Sequence, residues 1–238
     1  MGSNESTLQY NLRRVDERIV NVCSLAGRSP QSVALLAVSK TVAAAQVREA
    51  AAAGQRAFGE NYVQEALDKI TALADLRSDL EWHLIGPLQS NKTRAVAEAF
   101  DWVHSLDRLK IAQRLCEQRP ADLSPLQVCL QVNISGEDSK SGVAAADVLA
   151  LATAVAALPR ERIVLRGLMA IPEPAAELAA QRIPHRALCE LLAQLNHRGL
   201  ALDTLSMGMS ADLEAAVLEG ATVVRVGTAL FGARRAAA

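Results

Sequence analysis

The 238-residue chain is predicted to fold as a single-domain (β/α)8 barrel, the TIM barrel of the α/β class. Short apolar runs alternate with Ala-, Leu- and Glu-rich stretches, an order typical of a parallel sheet covered by helices. Eight such apolar runs occur, and eight strands close a barrel. A doubly wound open sheet is the competing fold, which the lack of a GxGxxG motif after the first run disfavours.

The individual elements are predicted from their periodicity. An opening helix at about 5–26 carries apolar residues at helical spacing and ends near Gly27. Eight strands are predicted from runs rich in Val, Leu and Ala, at 33–39, 57–60, 81–86, 101–106, 126–134, 163–171, 203–208 and 223–227. Helices are predicted at 43–53, 61–74, 90–99, 107–118, 144–157, 176–198 and 211–219. Because no linker or shift of composition divides the chain, residues 1–238 are predicted to form one domain.

Composition and charge exclude several classes of function. A net charge of −1 and an aromatic content of 3% offer neither a basic face nor a stacking platform for nucleic acid. The longest apolar runs are too short to span a bilayer, and the first residues lack the features of a signal peptide. The four scattered cysteines have no metal-ligand spacing and are typical of reduced thiols in a cytoplasmic protein.

Lys40 closes the first apolar run, Val33-Ala-Leu-Leu-Ala-Val-Ser-Lys40. A lysine at the mouth of a buried strand is costly to desolvate unless it has a partner or a chemical task. Its amine is suited to Schiff-base chemistry with an aldehyde, because the pKa of a lysine shifts readily on burial. For this segment alone, a side chain that snorkels into water is the alternative.

Polar residues concentrate at the C-terminal ends of the predicted strands. Examples are Glu60 with Asn61 at the end of the second strand, the segment that starts at His83 after the third, and His104 with Asp107 at the end of the fourth. In barrels this face carries the active or ligand site, because the loops that follow the strands converge there. Helix capping accounts for part of the pattern, but the concentration at one end favours a site.

The last two strand-to-helix loops predict a phosphate cradle, which we define as residues 206–212 and 227–232. Glycines there let backbone N–H groups approach a phosphate, and Ser206, Ser210 and Thr228 add hydroxyl donors. Capping serines and turn glycines are the alternative. Arg225 lies inside the last apolar run and needs a buried carboxylate or a ligand atom. A lysine for an aldehyde, a cradle for a phosphate and an arginine for a pyridine nitrogen together describe a site for pyridoxal 5′-phosphate (PLP).

Long motifs that run through nearly the whole chain carry a family resemblance. In order they are Ala37-Val-Ser-Lys40, Phe58-Gly-Glu-Asn-Tyr-Val-Gln-Glu65, Trp82-His-Leu-Ile-Gly-Pro-Leu-Gln-Ser-Asn-Lys92, His104-Ser-Leu-Asp107, Val132-Asn133 with Ser139-Lys-Ser-Gly-Val143, Gly167-Leu-Met-Ala-Ile-Pro172, Ser206-Met-Gly-Met-Ser-Ala-Asp212 and Val224-Arg-Val-Gly-Thr-Ala-Leu-Phe-Gly232. With these motifs the chain resembles the pyridoxal phosphate homeostasis proteins, single-domain relatives of the barrel of alanine racemase.

The resemblance implies roles for individual residues. Lys40 would hold PLP as an internal aldimine, and Arg225 would face the pyridine nitrogen. The residues that match phosphate-binding positions are Ser206, Ser210, Gly227 and Thr228. Those that match pocket-lining positions are Asn61 and His83, with Met207 and Met209 packed near the ring or phosphate. Lys140 matches a second lysine linked to handling of the cofactor, with a solvated loop lysine as the alternative. One departure is Thr41-Val-Ala, where family members often have a proline soon after the first lysine.

The resemblance further implies an intracellular carrier that buffers PLP and hands it to PLP-dependent apoenzymes, with no catalytic residues and no metal. A guanidinium that faces the pyridine nitrogen cannot act there as an acid, which makes the ring a poorer electron sink. Tyr10 and Tyr62 are the only tyrosines, and the chain is expected to lack the second domain from which racemases of this fold take a tyrosine base. A monomer is expected for the same reason. A racemase or lyase of low activity, and a barrel for another phosphorylated metabolite, are the alternatives.

Overall fold

The computed structural model describes residues 6–135 and 141–232, and these contain nine strands and nine α-helices. The strands are β1 Ala34–Val38, β2 Ala57–Glu60, β3 Glu81–Leu84, β4 Trp102–Leu106, β5 Leu126–Asn133, β6 Val143–Ala144, β7 Ile163–Met169, β8 Thr204–Ser206 and β9 Val223–Val226. The helices are α1 Thr7–Leu25, α2 Ala44–Ala52, α3 Val63–Ala72, α4 Thr93–Ala99, α5 Leu109–Gln118, α6 Val148–Ala156, α7 Leu178–His197, α8 Leu213–Leu218 and α9 Thr228–Phe231.

The sheet closes on itself, which confirms the predicted TIM barrel. Every pairing between neighbouring strands is parallel, and the order runs β1-β2-β3-β4-β5-β7-β8-β9 and back to β1. The short strand β6 pairs only with the end of β5. Closure leaves none of these eight strands with an unpaired edge. It also brings their C-terminal ends together at one opening of the barrel, which we call the mouth.

The eight strands predicted from apolar runs are all present, and most are shorter than predicted at their C-terminal ends. The last residues of the predicted runs, such as Ser39 and Met207, leave the strands because they begin the loops of the mouth. The opening helix starts at Thr7 because Ser6 and Gln9 form a reciprocal capping box, with hydrogen bonds of 2.9 and 3.2 Å.

Two hydrophobic clusters hold the barrel together. The larger cluster lies between the sheet and the surrounding helices and includes Phe58, Trp82 and Phe100. The smaller cluster consists of Leu36 and Val38 of β1 with Ile85, which follows β3. Leu36 and Val38 alternate along β1 with the outward-facing residues. Side chains of β1 therefore point alternately into the barrel and toward the helices.

Helix α1 is fastened beside the predicted phosphate cradle. The guanidinium of Arg18 binds both carboxylate oxygens of Glu214 at 2.7 and 2.8 Å and donates to the carbonyl oxygen of Ser210 at 3.0 Å. A bidentate pair of this kind fixes geometry as well as adding energy. The N-terminal helix thus positions the loop between β8 and α8.

The described ranges contain no helix long and apolar enough to cross a membrane. The same residues contain no group of three or more His, Cys, Asp or Glu side chains placed to hold a metal ion. All four cysteines are free thiols, and three of them are buried. Lys140, the second lysine suggested by the family resemblance, lies outside the described residues.

Candidate functional site

Lys40 lies at the mouth of the barrel, directly after β1. It is half-buried, and the backbone N–H of Ser39 still bonds to Gly59 of β2 at 2.9 Å. The alternation that points Leu36 and Val38 into the barrel brings Lys40 to the same side. Its amine is therefore placed at the opening of the barrel interior.

A buried ion cluster holds the chain on the N-terminal side of Lys40. We call it the Lys69 cluster; it consists of Lys69, Glu60, Glu65 and Ser39. The ammonium group of Lys69 donates to Glu60 at 2.8 Å, to Glu65 at 2.6 Å and to the carbonyl oxygen of Ser39 at 2.5 Å. All three donors of the lysine are thus used, and one of them fixes the peptide that leads into Lys40.

The same cluster holds the chain on the C-terminal side of Lys40. Thr41 has a φ of 64°, a left-handed conformation that is strained for a β-branched residue. Its backbone N–H donates to Glu65 at 2.5 Å, and the hydroxyl of Ser39 donates to Glu60 at 2.6 Å. Lys40 therefore sits between two residues that are both bonded to the Lys69 cluster.

Burial raises the pKa of Glu60, although hydrogen bonds from Lys69 and Ser39 act in the opposite direction. One of its carboxylate oxygens has no hydrogen-bond partner within residues 6–135 and 141–232. The lysine is what makes a carboxylate tolerable at this depth. Sequence reasoning missed Lys69; the available signal was its position four residues after Glu65 and nine after Glu60, on a helix that follows the glutamate strand.

Arg225 lies beneath the mouth, inside the barrel, on a strand residue that pairs with Leu36. The residue is 3% exposed. Its guanidinium donates to the carbonyl and hydroxyl oxygens of Ser206 at 2.5 and 2.9 Å and to the carbonyl of Ala170 at 2.8 Å. Burial lowers its pKa to about 10, so it remains a cation at neutral pH. A guanidinium has five N–H groups, and these three bonds leave capacity for a ligand atom.

Two histidines continue the polar contacts of Ser206 into the barrel. Nδ1 of His104 lies 2.7 Å from the hydroxyl of Ser206, and its Nε2 lies 2.9 Å from Nδ1 of His83. The ring of His83 stacks on Trp102 with centroids 5.4 Å apart. Burial above all, and after it the neighbouring His83 and the cation of Arg225, hold the pKa of His104 well below its ordinary value. His104 is therefore a neutral imidazole.

The first half of the phosphate cradle is a tightly folded loop. Gly208 has a φ of 89°, and a Cβ atom there would lie 2.4 Å from that of Ala216, so only glycine fits. The backbone N–H of Met209 donates to Asp212 at 2.7 Å, and Asp212 also binds His185 at 2.9 Å. These bonds fix the loop at its far end, with Ser210 half-buried between them.

The second half of the cradle lies beside Lys40. Strands β1 and β9 pair in register, with Ala37 opposite Val226, so Gly227 follows β9 at the level of Val38, two residues before Lys40. A Cβ atom on Gly227 would lie 3.1 Å from the carbonyl oxygen of Val38, a close approach that favours glycine. Thr228 is exposed and begins α9.

The structure separates the predicted site residues into two levels. At the mouth, with Lys40, lie Asn61, Met209, Ser210, Gly227 and Thr228. Inside the barrel lie Ser206, His83 and Arg225, and Met207 is fully buried in the larger core. Their assigned contacts with a ligand stay predictions. One observation suits a bound molecule: Oδ1 of Asn61 is buried and has no hydrogen-bond partner in the described part of the chain.

Comparison with protein families places the chain among barrels of known type. Residues 7–235 match the family model described as alanine racemase, N-terminal domain. A pyridoxal phosphate homeostasis protein of Pseudomonas aeruginosa is 66% identical over 229 residues, which cover 96% of each chain. The protein of that name from Escherichia coli K12 is 55% identical over 228 residues, covering 95% of this chain and 97% of the other.

Solved structures give the same fold. PipY of Synechococcus elongatus, with PLP bound, superposes with a TM-score of 0.77 at 43% identity, covering 90% of this chain and 100% of the other. Alanine racemase of Corynebacterium glutamicum superposes with a TM-score of 0.64 at 22% identity, covering 94% of this chain and 62% of the enzyme. The racemase likeness concerns the fold alone.

Proposed function

Because the chain belongs to the family of pyridoxal phosphate homeostasis proteins, we propose that it binds PLP and serves in intracellular PLP homeostasis, without strong catalytic activity. The observation that carries the proposal is the position of Lys40. Its flanking residues are both tied to the Lys69 cluster, and it lies beside Gly227 and above Arg225. An amine, a phosphate cradle and a buried cation thus surround one opening.

PLP, when bound, supplies an aldehyde that condenses with a primary amine to a Schiff base with loss of water. In our proposal Lys40 is that amine. The loops at 206–212 and 227–228 hold the phosphate, and Arg225 donates toward the ring nitrogen. Asn61 closes the side of the opening, where its buried Oδ1 lacks a partner in the described ranges and can accept a hydrogen bond from a ligand hydroxyl.

Two features support a carrier over a catalyst. Arg225 stays protonated and can only donate to the ring nitrogen, which keeps that nitrogen unprotonated and weakens the ring as an electron sink. Tyr10 is on the outer helix α1, where the guanidinium groups of Arg13 and Arg14 lie over its ring. A transfer of PLP to apoenzymes fits a site open at the barrel mouth.

Tyr62 is the observation that favours a second candidate function, a racemase or lyase of low activity. It is 59% exposed and follows Asn61 after β2, so it lies on the same face of the barrel as Lys40, which follows the neighbouring strand β1. Incubation of the PLP-loaded protein with single enantiomers of amino acids distinguishes the functions. Sustained turnover that Tyr62→Phe abolishes would favour the enzyme.

Reduction with borohydride tests the Schiff base. The wild type should gain the mass of one reduced PLP on the peptide that contains Lys40, and Lys40→Ala should lose this adduct and the absorbance of the bound cofactor. Lys110→Ala, at an exposed position of α5, is the matched control and should keep both. A retained adduct in Lys40→Ala would move the site to another lysine, with Lys140→Ala as the next variant.

Absence of any adduct in the wild type would instead favour a barrel for another phosphorylated metabolite. The proposed monomer is checked by light scattering of the loaded and the cofactor-free protein. Proposed delivery to apoenzymes is checked by mixing the loaded protein with a PLP-free transaminase. Recovery of transaminase activity faster than the release of PLP into buffer would support direct transfer, and recovery at the release rate would refute it.

A further inference from the structure

A line of polar side chains crosses the barrel interior from Arg225 to Glu81. The guanidinium of Arg225 donates to the hydroxyl of Ser206 at 2.9 Å, and that hydroxyl lies 2.7 Å from Nδ1 of His104. Nε2 of His104 lies 2.9 Å from Nδ1 of His83. Nε2 of His83 lies 3.5 Å from Oε2 of Glu81, an electrostatic contact and not a hydrogen bond, since this Nε2 has no hydrogen-bond partner among the described residues. We call these five residues the relay.

The two ends of the relay have opposite and fixed polarity. Arg225 can only donate hydrogen bonds, because a guanidinium has no acceptor. Glu81 can only accept them when it is ionised. The pKa of its carboxyl is held below the ordinary value by His83 first, and also by Trp102 and Arg166, against the cost of burial. The side chain of Glu81 is half-exposed at the opposite, N-terminal end of the barrel.

Fixed ends impose one direction on the histidines between them. A bare Nε2 of His83 would place a lone pair 3.5 Å from a carboxylate, which is repulsive, whereas an N–H there is attracted. A neutral imidazole protonated on Nε2 has an acceptor at Nδ1. His83 must then accept from Nε2–H of His104, and His104 must accept from the hydroxyl of Ser206 in the same way. Every donor in the relay thus faces an acceptor.

The reverse direction fails at both ends. It would need Nδ1–H of His104 to donate to Ser206, whose oxygen would then accept two hydrogen bonds, this one and that from Arg225. The hydroxyl proton of Ser206 would then lose its acceptor on His104, and a buried hydroxyl without an acceptor is costly. At the other end, two sets of lone pairs would face each other between His83 and Glu81.

Packing holds the two rings in the orientation that the relay needs. The ring of His83 stacks on that of Trp102, with an angle of 7° between the ring planes. The planes of the His104 and His83 rings meet at 64°. The indole N–H of Trp102 donates to Oε1 of Glu81 at 2.5 Å. Trp102 therefore fixes both the ring of His83 and the carboxylate that His83 faces.

We propose that His104, His83 and Glu81 are positioning residues for the cofactor site, with both imidazoles neutral and protonated on Nε2. The relay gives the hydroxyl proton of Ser206 an acceptor, Nδ1 of His104. The hydroxyl is thereby held with a lone pair toward Arg225, and this holds the guanidinium in place under the mouth. This role in cofactor binding rests on the proposed function; the direction of the relay does not.

The tautomers can be measured on cofactor-free protein. The chain has four histidines, so ¹⁵N-histidine labelling and two-bond ¹⁵N–¹H correlation at pH 7.5 give a simple spectrum, assigned with His83→Gln and His104→Gln. We expect both relay histidines as Nε2–H. His197, whose Nδ1 faces the carbonyl of Ala193 at 2.7 Å, is the internal control and should be Nδ1–H. An Nδ1–H or doubly protonated form of His83 or His104 would overturn the direction.

A pair of substitutions at the distant end tests whether the relay acts on the site. Glu81→Gln keeps an oxygen acceptor for Nε2–H of His83 and should leave the tautomers and the cofactor release rate as in the wild type. Glu81→Leu removes the acceptor and should give mixed tautomers at His83 and His104. His104→Leu leaves Ser206 without its acceptor. We expect it to release PLP about tenfold faster, the factor for about 1.4 kcal/mol, within the range for one unsatisfied buried hydroxyl.

The readouts separate the two hypotheses. If His104→Leu is folded by circular dichroism and releases PLP at the wild-type rate, the positioning role is refuted. If Glu81→Leu changes neither tautomers nor release, the polarity argument is refuted at its acceptor end. If the wild type forms no Schiff base while its histidines are both Nε2–H, the proposed function fails and the direction of the relay stands.

Discussion

Replacement of Lys69 by methionine tests how Lys40 is held in place. Methionine is close to lysine in length and in helix propensity, so α3 should form as before. The substitution removes the ammonium group that binds Glu60, Glu65 and the carbonyl of Ser39. What remains is a carboxylate of Glu60 that is completely buried with one hydroxyl donor, Ser39.

The expected loss follows from the burial of this pair. Removal of one partner from a buried ion pair costs about 3–5 kcal/mol, because the other charge is left uncompensated. Glu65 adds little to the loss, since its side chain is 30% exposed and water can solvate it. A domain is stable by only about 5–15 kcal/mol. We therefore expect Lys69→Met to unfold at a much lower urea concentration, with weaker PLP binding because Ser39 and Thr41 are released.

Urea denaturation followed by tryptophan fluorescence measures the effect, since Trp82 is buried in the core. The double variant Lys69→Met with Glu60→Met removes both buried charges and should recover to within about 1–2 kcal/mol of the wild type. Lys110→Met at an exposed position should stay within about 0.5 kcal/mol. A loss below about 1 kcal/mol for Lys69→Met, or a double variant worse than the single one, would refute the reasoning.

Three further results are expected. The pKa of His104 lies well below 6.5 in the folded chain, so below pH 6.5 the unfolded chain binds a proton that the folded chain does not. As the pH is lowered below 6.5, the free energy of unfolding should therefore decrease by up to about 1.4 kcal/mol per pH unit, and less steeply in His104→Gln. An equal slope in the two proteins would contradict this assignment. Gly167→Ala should lower the free energy of unfolding by more than about 3 kcal/mol, because its Cβ would lie 1.8 Å from a carbonyl oxygen of β8. Gly199→Ala has open space around its Cβ but a φ of 93°, so it should lower this free energy by only about 1–2 kcal/mol, as thermal or urea unfolding would measure. Burial raises the pKa of Cys129 to about 12, so a thiol reagent at pH 8 should label the half-buried Cys189 first and Cys129 only after unfolding, as peptide mass mapping would show.

The barrel was predictable because its signal is local and repeated. Each apolar run marked a strand, and the strand count with alternating helices indicated closure, as the pairing of β1 with both β2 and β9 confirms. The mouth was predictable for a related reason. Parallel strands put all their C-terminal ends on one face, so Lys40, Asn61 and Gly227 could be assigned to it from strand order alone.

The level of each side chain within the barrel was not predictable from the sequence. Ser206 was grouped with Ser210 in a phosphate cradle, but its hydroxyl lies inside the barrel between Arg225 and His104. A shift of one residue in a strand turns a side chain from one face to the other. Where β8 ends therefore decides which serine faces the mouth.

The sequence by itself determined the fold, the face that carries the site and the lysine at its opening, because periodicity and strand ends are properties of neighbouring residues. Only the tertiary structure showed that Lys69 reaches across 30 residues to hold Ser39, and that a line of polar groups joins Glu81 to Arg225 through the barrel. These contacts are made between residues distant in the chain, and their energy depends on burial, which closure of the barrel alone provides.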